Sequence, residues 1–226
     1  MPTTPGAHLP RLLQLVSPSL PIGAYSYSQG LEWAVEAGWV SDPVSLGDWV
    51  ADLMNGNLRY WDLPLLARLY RAATDDDHEA LARWAALSIA GRETAELRSE
   101  EHNKGRALAS LLDKIGTLDA DAPRATLASC QLAGYAWAAE RWRIPLTDAL
   151  SGYAWSWLEN GILAGVKLIP LGQTDGQTLL LRLGDRVNTT VAAALALDDD
   201  DLGCSAPALA IASAAHEDQT TRLFRS

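Results

Sequence analysis

The sequence contains few of the residues that build metal sites or disulfide frameworks. Its 226 residues include two cysteines, Cys130 and Cys204, and four histidines. Neither cysteine has a neighbour at metal-ligand spacing and no two histidines lie four residues apart, so we expect no metal site in this chain. Two cysteines far apart in a long chain are typical of a reducing compartment rather than of a disulfide scaffold.

Positive charge and long apolar runs are also scarce. The 18 Lys and Arg residues against 28 Asp and Glu give a net charge of -10, which argues against binding to nucleic acid or to an anionic membrane surface. No stretch of about 18 uncharged apolar residues is present, so we expect no membrane span. The N-terminus lacks a basic segment followed by an apolar run, so we expect no signal peptide. These absences together predict a cytoplasmic protein.

The common catalytic patterns are missing from the sequence. No Gly-x-Ser-x-Gly is present, and the glycines of 161–167 do not have the spacing of a phosphate-binding loop. Glutamates between 93 and 101 are interleaved with basic residues, which predicts a solvated helix face of ion pairs rather than acid–base chemistry. We therefore predict no catalytic residue, no bound cofactor and no enzymatic activity for this chain.

Apolar residues follow a helical repeat through most of the chain. The leucines of 179–183 alternate as in a strand, but the repeat that continues to Leu195 predicts a helix. One helix is predicted over 124–143. Residues 55–57, Asn-Gly-Asn, are expected to weaken a helix before a new one begins at Pro64.

The length of the chain is sufficient for one domain with a substantial core. We predict a single all-α domain over 1–226, a compact bundle of several helices. Residues 1–8 and 218–226 are expected to be flexible termini.

A Pro- and Gly-rich segment, which we call the N-terminal motif, covers 17–33. Two prolines and a glycine within 18–23 exclude a regular helix there. Its large apolar side chains are expected to be buried: Leu20, Ile22, Tyr25 and Tyr27. A helix is predicted to follow and to end at Gly38. The motif is either a buried turn that anchors the N-terminal helix or a loop with a function of its own.

Two further features attract attention outside the motif. Lys167 is the only charge between Gly161 and Leu171. Its stem either packs while the ammonium reaches water, or its charge is presented at the rim of an apolar contact surface. The polar tail at 218–226 carries the chain's one phenylalanine, which a segment meant only to be disordered does not need.

Five segments, in order along the chain, resemble the UreF family of urease accessory proteins. They are SPSLPIGAYSYSQGLE at 17–32, DLP at 62–64, RETAELR at 92–98, GVKLIPLGQ at 165–173 and the tail that begins HE at 216–217. The resemblance covers nearly the whole chain. It is weakest at 117–123 and 198–201, both of which are expected to be loops.

The resemblance implies an all-helical, dimeric protein without catalytic chemistry of its own. Members of the family bridge a second accessory protein, UreD (or UreH), to the GTPase UreG. The assembly delivers nickel to apo-urease in a process coupled to GTP hydrolysis. Nickel and GTP are therefore expected to be handled by the complex rather than held tightly by this chain.

The resemblance also implies roles for individual residues. Lys167 matches the lysine of the family's GTPase-facing surface. Tyr25, Ser28 and Glu32 match its most characteristic segment, which serves partner contact or its support. The tail at 221–226 matches the part that is ordered by the UreD-type partner, so we expect it to be flexible or loosely packed in the free protein. The candidate contacts in this tail are Arg222, Leu223, Phe224 and Arg225, with Leu223 and Phe224 as apolar anchors.

Two other classes of function stay open. The first is a GTPase-activating protein that supplies an arginine to UreG, with Arg222, Arg225 or Arg98 as candidates. The second is a helical small-molecule enzyme unrelated to urease.

Overall fold

Helices joined by short loops account for the described chain, which comprises residues 6–203 and 206–225 of this computed structural model. No strand occurs within these ranges, so the all-α prediction is confirmed. In the same ranges no helix combines the length and the apolar character that crossing a bilayer requires. Cys204, Ser226 and residues 1–5 figure in the expectations above and lie outside the described residues. The α-helices are α1 (Leu9–Leu15), α2 (Leu31–Glu36), α3 (Pro43–Leu53), α4 (Leu63–Thr74), α5 (His78–Ala90), α6 (Ala95–Lys114), α7 (Arg124–Ser129), α8 (Gln131–Arg141), α9 (Leu146–Leu168), α10 (Gln173–Gly184), α11 (Val187–Leu195) and α12 (Pro207–His216).

Helix α8 lies at the centre of the bundle because it is apolar or small on all faces. Every residue from 131 to 139 is buried, and the helix packs against α4, α6, α7 and α9. A helix that is apolar all round is stable only inside a core. The Tyr135 hydroxyl donates a hydrogen bond to the Ala149 carbonyl of α9 at 2.9 Å, so this buried polar atom has a partner.

Regular α-helix is lost around 55–57 and a new α-helix, α4, begins at Leu63, next to Pro64, as predicted. A π-helical segment, Met54–Asp62, connects α3 to α4, so the helical path continues from 43 to 74. Pro64 is tolerated because it lies at the start of α4, where its missing N–H costs little. The wider π turn directs Asn57 inward, and its side-chain amide donates a hydrogen bond to Asp62 at 3.1 Å.

The single helix predicted over 124–143 is divided at Cys130, whose backbone is extended. Glu101 of α6 explains the break, because its carboxylate accepts the Gln131 amide at 3.1 Å and so caps α8. Gly105 allows the chain to pass this closely, since a Cβ there would lie 2.7 to 2.9 Å from the Cys130 backbone. The prediction of a helix over 179–183 is confirmed, although α10 ends at Gly184 and α11 is separate.

Helix α6 turns several of its charges inward, so the prediction of a solvated charged face is wrong there. Arg92 contacts Asp62 at 2.7 Å and Glu101 at 2.9 Å. One turn away, Lys104 contacts Glu100 at 2.6 Å. All five side chains are buried, because α7 and α8 cover this side of α6.

The two buried carboxylates that contact Arg92 have pKa values shifted in opposite directions. Burial raises the pKa of Asp62 more than Arg92 lowers it. Burial acts on Glu101 in the same direction, but Arg92, Lys104 and the Gln131 amide together outweigh it and lower the pKa of Glu101. Glu101 is therefore a buried anion whose charge depends on Arg92.

Replacing Arg92 by methionine is expected to lower the free energy of unfolding by about 3–5 kcal/mol, because it leaves a buried carboxylate unpaired. The matched control is Arg124→Met, which removes an exposed pair with Asp113 (3.1 Å) and should cost at most about 1 kcal/mol. Urea unfolding followed by circular dichroism measures both. Equal losses in the two variants would contradict a structural role for the buried pair.

Candidate functional site

The N-terminal motif is held against the last helix of the chain. Gly23 and Gly30 adopt positive φ angles of 75° and 76°, which glycine permits at no steric cost. At Gly30 a Cβ would lie 2.9 Å from the Ser213 amide nitrogen, so the motif backbone packs directly on α12. The motif is therefore a constrained part of the core and not a free surface loop.

Polar side chains connect the motif to α6 and α9. The Gln29 amide donates a hydrogen bond to Glu100 at 3.0 Å and accepts one from the Trp157 indole at 3.2 Å. The Asn160 amide donates to the Tyr27 carbonyl at 3.2 Å. Since Glu100 also pairs with Lys104, the motif is linked to the buried charges of the core.

The motif nevertheless presents one aromatic ring to solvent. Ile22 and Tyr27 are buried as expected, but Tyr25 is 62% exposed, so the prediction of its burial is wrong. A single turn of 3-10 helix, Ala24–Ser26, contains Tyr25 and buries none of its residues. The sequence pattern gives no sign of this turn, because Tyr25 and Tyr27 alternate as if both faced the core.

The C-terminal tail is packed on the motif, contrary to the expectation of a loosely packed segment. The Glu32 carboxylate accepts the backbone amides of Leu223 at 2.6 Å and Phe224 at 2.9 Å. The Arg225 amide donates to the Ser26 carbonyl at 2.8 Å. Phe224 is only 6% exposed. A buried carboxylate needs donors, and these tail amides supply them.

The remaining tail side chains point outward or bind neighbouring groups. Leu223 is 66% exposed, and the Arg225 side chain is also exposed. The Arg222 guanidinium donates to Glu96 and to the Gln219 carbonyl, both at 2.7 Å. Of the two apolar anchors expected for a partner, Phe224 is thus used within the chain and Leu223 is free to meet another surface.

Lys167 lies beside both the motif and the tail. Its ammonium nitrogen is 6.0 Å from the centre of the Tyr25 ring and 5.7 Å from that of Phe224, within range of weak cation–π attraction. Residues that are far apart in the sequence thus form one exposed surface, which we call the Lys167 patch. Its exposed members are Tyr25, Lys167, Leu223 and Arg225, and the buried Phe224 ring completes it.

Ser28 and Glu32 support this patch from below. Both are buried, and the Ser28 hydroxyl oxygen accepts the Glu32 amide at 3.2 Å. Tyr25, Ser28 and Lys167 also line a cavity whose lining includes Glu100 and Lys104. Within the motif, Tyr25 is therefore exposed, whereas Ser28 and Glu32 are buried.

His216 belongs to the same site, although sequence reasoning treats it as an isolated histidine. Its ring is fully buried, with Nδ1 at 2.7 Å from a Glu96 carboxylate oxygen and Nε2 at 3.2 Å from a Glu32 oxygen. These partners lie 120 and 184 residues away in the sequence. No local spacing could have indicated the contact.

The described residues offer no clustered metal ligands, and the glycines of 161–167 are helical. Among residues 6–203 and 206–225, no group of three or more His, Cys, Asp or Glu side chains is arranged to hold a metal ion. Residues 161–167 lie within α9, where the backbone amides are engaged in the helix and cannot cradle a phosphate.

Comparison with known proteins gives a consistent result. The family model for UreF matches residues 40–184. Proteins named urease accessory protein UreF are similar to this chain over 96% of its length: one from Pseudomonas putida (strain W619) is 55% identical over 96% of its own length. Those from Alcanivorax borkumensis and Klebsiella pneumoniae (strain 342) are 51% and 50% identical over 97% and 96% of their lengths. With a family match over more than half of the chain and such close relatives, the chain belongs to the UreF family.

Proposed function

We propose that this protein acts in urease maturation as the subunit that bridges a UreD- or UreH-type protein and the GTPase UreG to apo-urease. The observation that carries the proposal is the convergence of Tyr25, Lys167 and the tail on one exposed surface. In the complex, GTP hydrolysis on UreG is coupled to nickel delivery, and nickel is cargo of the assembly. The setting we propose is the cytoplasm.

Lys167 is proposed as the charged contact for UreG. It carries a positive charge on a protein with a net charge of -10, so it stands out against the surrounding potential. The exposed Tyr25 ring beside it supplies apolar surface, and the Tyr25 and Phe224 rings attract the ammonium weakly. A positioned cation at an aromatic surface suits a partner that offers a carboxylate.

The tail is proposed as the contact for the UreD-type protein. Leu223 and Arg225 are exposed side chains of the tail with no side-chain hydrogen bond or ion pair within the described residues, whereas Phe224 and the Glu32 carboxylate hold the backbone in place. A segment that is already ordered avoids about 1–2 kcal/mol of ordering cost per residue when it binds. The tail therefore serves as a formed surface more than as a free arm.

A homodimer belongs to the same proposal. Leu13 of α1, Trp155 of α9 and Leu181 of α10 are large apolar side chains with considerable exposure, and all three lie outside the Lys167 patch. The aromatic ring of Trp155 packs beside Gly184 at the end of α10. We propose that exposed apolar side chains of this kind contribute to self-association.

The alternative function is to supply an arginine to UreG. Hydrogen bonds within this chain already engage two of the three candidate arginines. The Arg98 guanidinium donates to the Arg92 carbonyl at 2.7 Å, and Arg222 is bound to Glu96. Arg225 uses its backbone amide but has an exposed side chain. It is the candidate best placed to reach a nucleotide site on a partner.

Replacing Lys167 by alanine is expected to weaken binding to UreG at least about 30-fold, because a charged interface contact is worth about 2–5 kcal/mol. The fold should lose no more than about 1 kcal/mol, since the side chain is exposed. Interferometry with GTP-loaded UreG and a thermal melt give the two numbers. Lys114→Ala, an exposed lysine at the end of α6, is the control. Unchanged UreG affinity together with a lower melting temperature would make Lys167 a structural residue.

Replacing Leu223 by aspartate is expected to weaken the complex with the UreD-type protein by tenfold or more, since burying a leucine contributes about 1.5–3 kcal/mol. The melting temperature should stay within about 1 °C of the parent's, because one exposed substitution changes stability little. Ile115→Asp, at the opposite end of α6 from Glu96, makes the same change away from the tail. Full affinity in the Leu223 variant would remove the tail from this interface.

Replacing Arg225 by alanine separates scaffolding from direct activation of the GTPase. If this chain acts as a scaffold, the single-turnover rate of GTP hydrolysis by the complex assembled with the Arg225 variant should differ from that of the parent complex by less than about tenfold. An arginine finger contributes about 10³–10⁵ in rate. A fall of that size, with assembly intact by gel filtration, would favour the activating role.

A further inference from the structure

A cavity of about 120 Å³ extends from the Lys167 patch into the core. Its lining includes the exposed residues Tyr25 and Lys167, at its mouth, and the buried residues Lys104, Gln131 and Tyr153. For comparison, an engineered cavity of about 150 Å³ is large enough to hold benzene. The space therefore suits one small organic molecule, which can enter from the surface.

The glycines of α9 show where this space is open. A Cβ at Gly152 or Gly165 would lie 2.6 or 2.4 Å from a leucine side chain, so these two glycines permit close helix packing. Gly161 lines the cavity, and there the nearest atom to a Cβ would be a Val50 methyl carbon at 3.8 Å. A side chain at position 161 would therefore extend into open space rather than into a neighbour.

Two polar side chains at the buried end of the cavity are available to a guest. Gln131 is 8% exposed and Tyr153 is 4% exposed. Within the described chain, neither the Gln131 side-chain amide nor the Tyr153 hydroxyl makes a hydrogen bond. The hydroxyl of the adjacent Tyr135, in contrast, donates to the Ala149 carbonyl at 2.9 Å. Because buried polar groups without partners cost free energy, a guest that pairs with both groups is favoured.

The two buried charged side chains in the lining balance each other. The Lys104 ammonium lies 2.6 Å from the Glu100 carboxylate, so an anionic guest would meet Glu100 and a cationic guest would meet Lys104. The less buried charges of the lining, Glu159 and Lys167, are also of opposite sign. Burial, together with nearby carboxylates, raises the pKa of Tyr153 well above its ordinary value, so its hydroxyl keeps its proton. These groups favour an uncharged guest that accepts and donates hydrogen bonds.

We propose that this cavity binds a small uncharged molecule with a carboxamide head and a short apolar chain. The carbonyl oxygen of the head accepts the Tyr153 hydroxyl, and the head pairs with the Gln131 amide, which can donate and accept at once. The chain lies against the apolar part of the lining, which includes Leu20, Ile22 and Trp49. The site lies within this one chain, so it goes beyond the proposed role in urease maturation and does not depend on it.

The experiment is a nuclear magnetic resonance titration of the full chain with pentanamide at about pH 7. The indole N–H of Trp49 and the side-chain amide of Gln131 report occupancy, because both residues line the cavity. Trp84 of α5 is not part of the lining and is the internal control. Both reporters are expected to shift and to saturate with a Kd of about 1 mM or lower, whereas the Trp84 indole signal should stay in place.

Analogues test the head and the chain separately. Pentanoate and pentylammonium keep the chain but carry a charge of either sign. Each is expected to bind at least about tenfold more weakly than pentanamide, because an unpaired buried charge is costly. Acetamide keeps the head and loses most of the chain. Since each buried CH₂ contributes about fourfold in affinity, acetamide should also bind at least about tenfold more weakly.

Matched substitutions locate the site. Tyr153→Phe and Gln131→Leu each remove one partner of the head and should weaken pentanamide binding about fivefold or more. Tyr135→Phe removes a hydroxyl that is already bound to Ala149, so it should leave the affinity unchanged. The melting temperature should fall in Tyr135→Phe but not in Tyr153→Phe, whose hydroxyl makes no hydrogen bond within the described chain. Gly161→Leu should abolish binding by filling the space, while leucine favours the helix.

The wild-type titrations decide the proposal even if a variant fails to fold. A pentanamide titration without saturation would overturn it, and so would equal or tighter binding of either charged analogue. Binding that survives Tyr153→Phe, Gln131→Leu and Gly161→Leu would lie elsewhere on the chain and would overturn it too. Binding of UreG and of the UreD-type protein is measured separately, so failure of the proposed function leaves this result intact.

Discussion

A buried carboxylate must find hydrogen-bond donors, and in this protein that requirement connects parts of the chain that are far apart. Glu32 lies near the end of the N-terminal motif, yet it accepts the tail amides of Leu223 and Phe224 and lies 3.2 Å from the His216 ring. Glu101 in the core is satisfied by Arg92 and by the first amide of α8. Desolvating such a group without partners costs several kcal/mol. The C-terminal tail is therefore needed to satisfy a buried carboxylate near the start of the chain.

The same constraint links the core to the exposed patch. Glu100 pairs with Lys104 inside α6 and accepts the Gln29 amide from the motif. Gln29 in turn accepts a hydrogen bond from the Trp157 indole of α9. Lys167 is the penultimate residue of that helix. Buried and partly buried polar contacts thus extend from the core to the helix that carries Lys167. Such networks rigidify a site when every member is satisfied.

Periodicity predicts the helices here because apolar faces recur every three to four residues, whatever the tertiary context. It fails at Cys130, where a glutamate from another helix caps α8, and it does not indicate that the weakened stretch at 54–62 is π-helical. The family resemblance singles out Lys167, the motif and the tail, but it does not predict that they lie together. It cannot tell that Tyr25 is exposed and Phe224 buried, because burial depends on what the tail meets. His216 is out of reach for a sequence argument, since its partners are carboxylates on two other helices.

Burial separates two kinds of residue among those that the resemblance singles out. Ser28, Glu32 and Phe224 are inside and determine where the tail lies, whereas Tyr25 and Leu223 present side chains to solvent. Substituting a residue of the first kind changes the whole surface, and substituting one of the second kind changes a single contact. Loss of partner binding on its own cannot distinguish them. A measurement of tail docking does, because only the buried residues hold the tail in place.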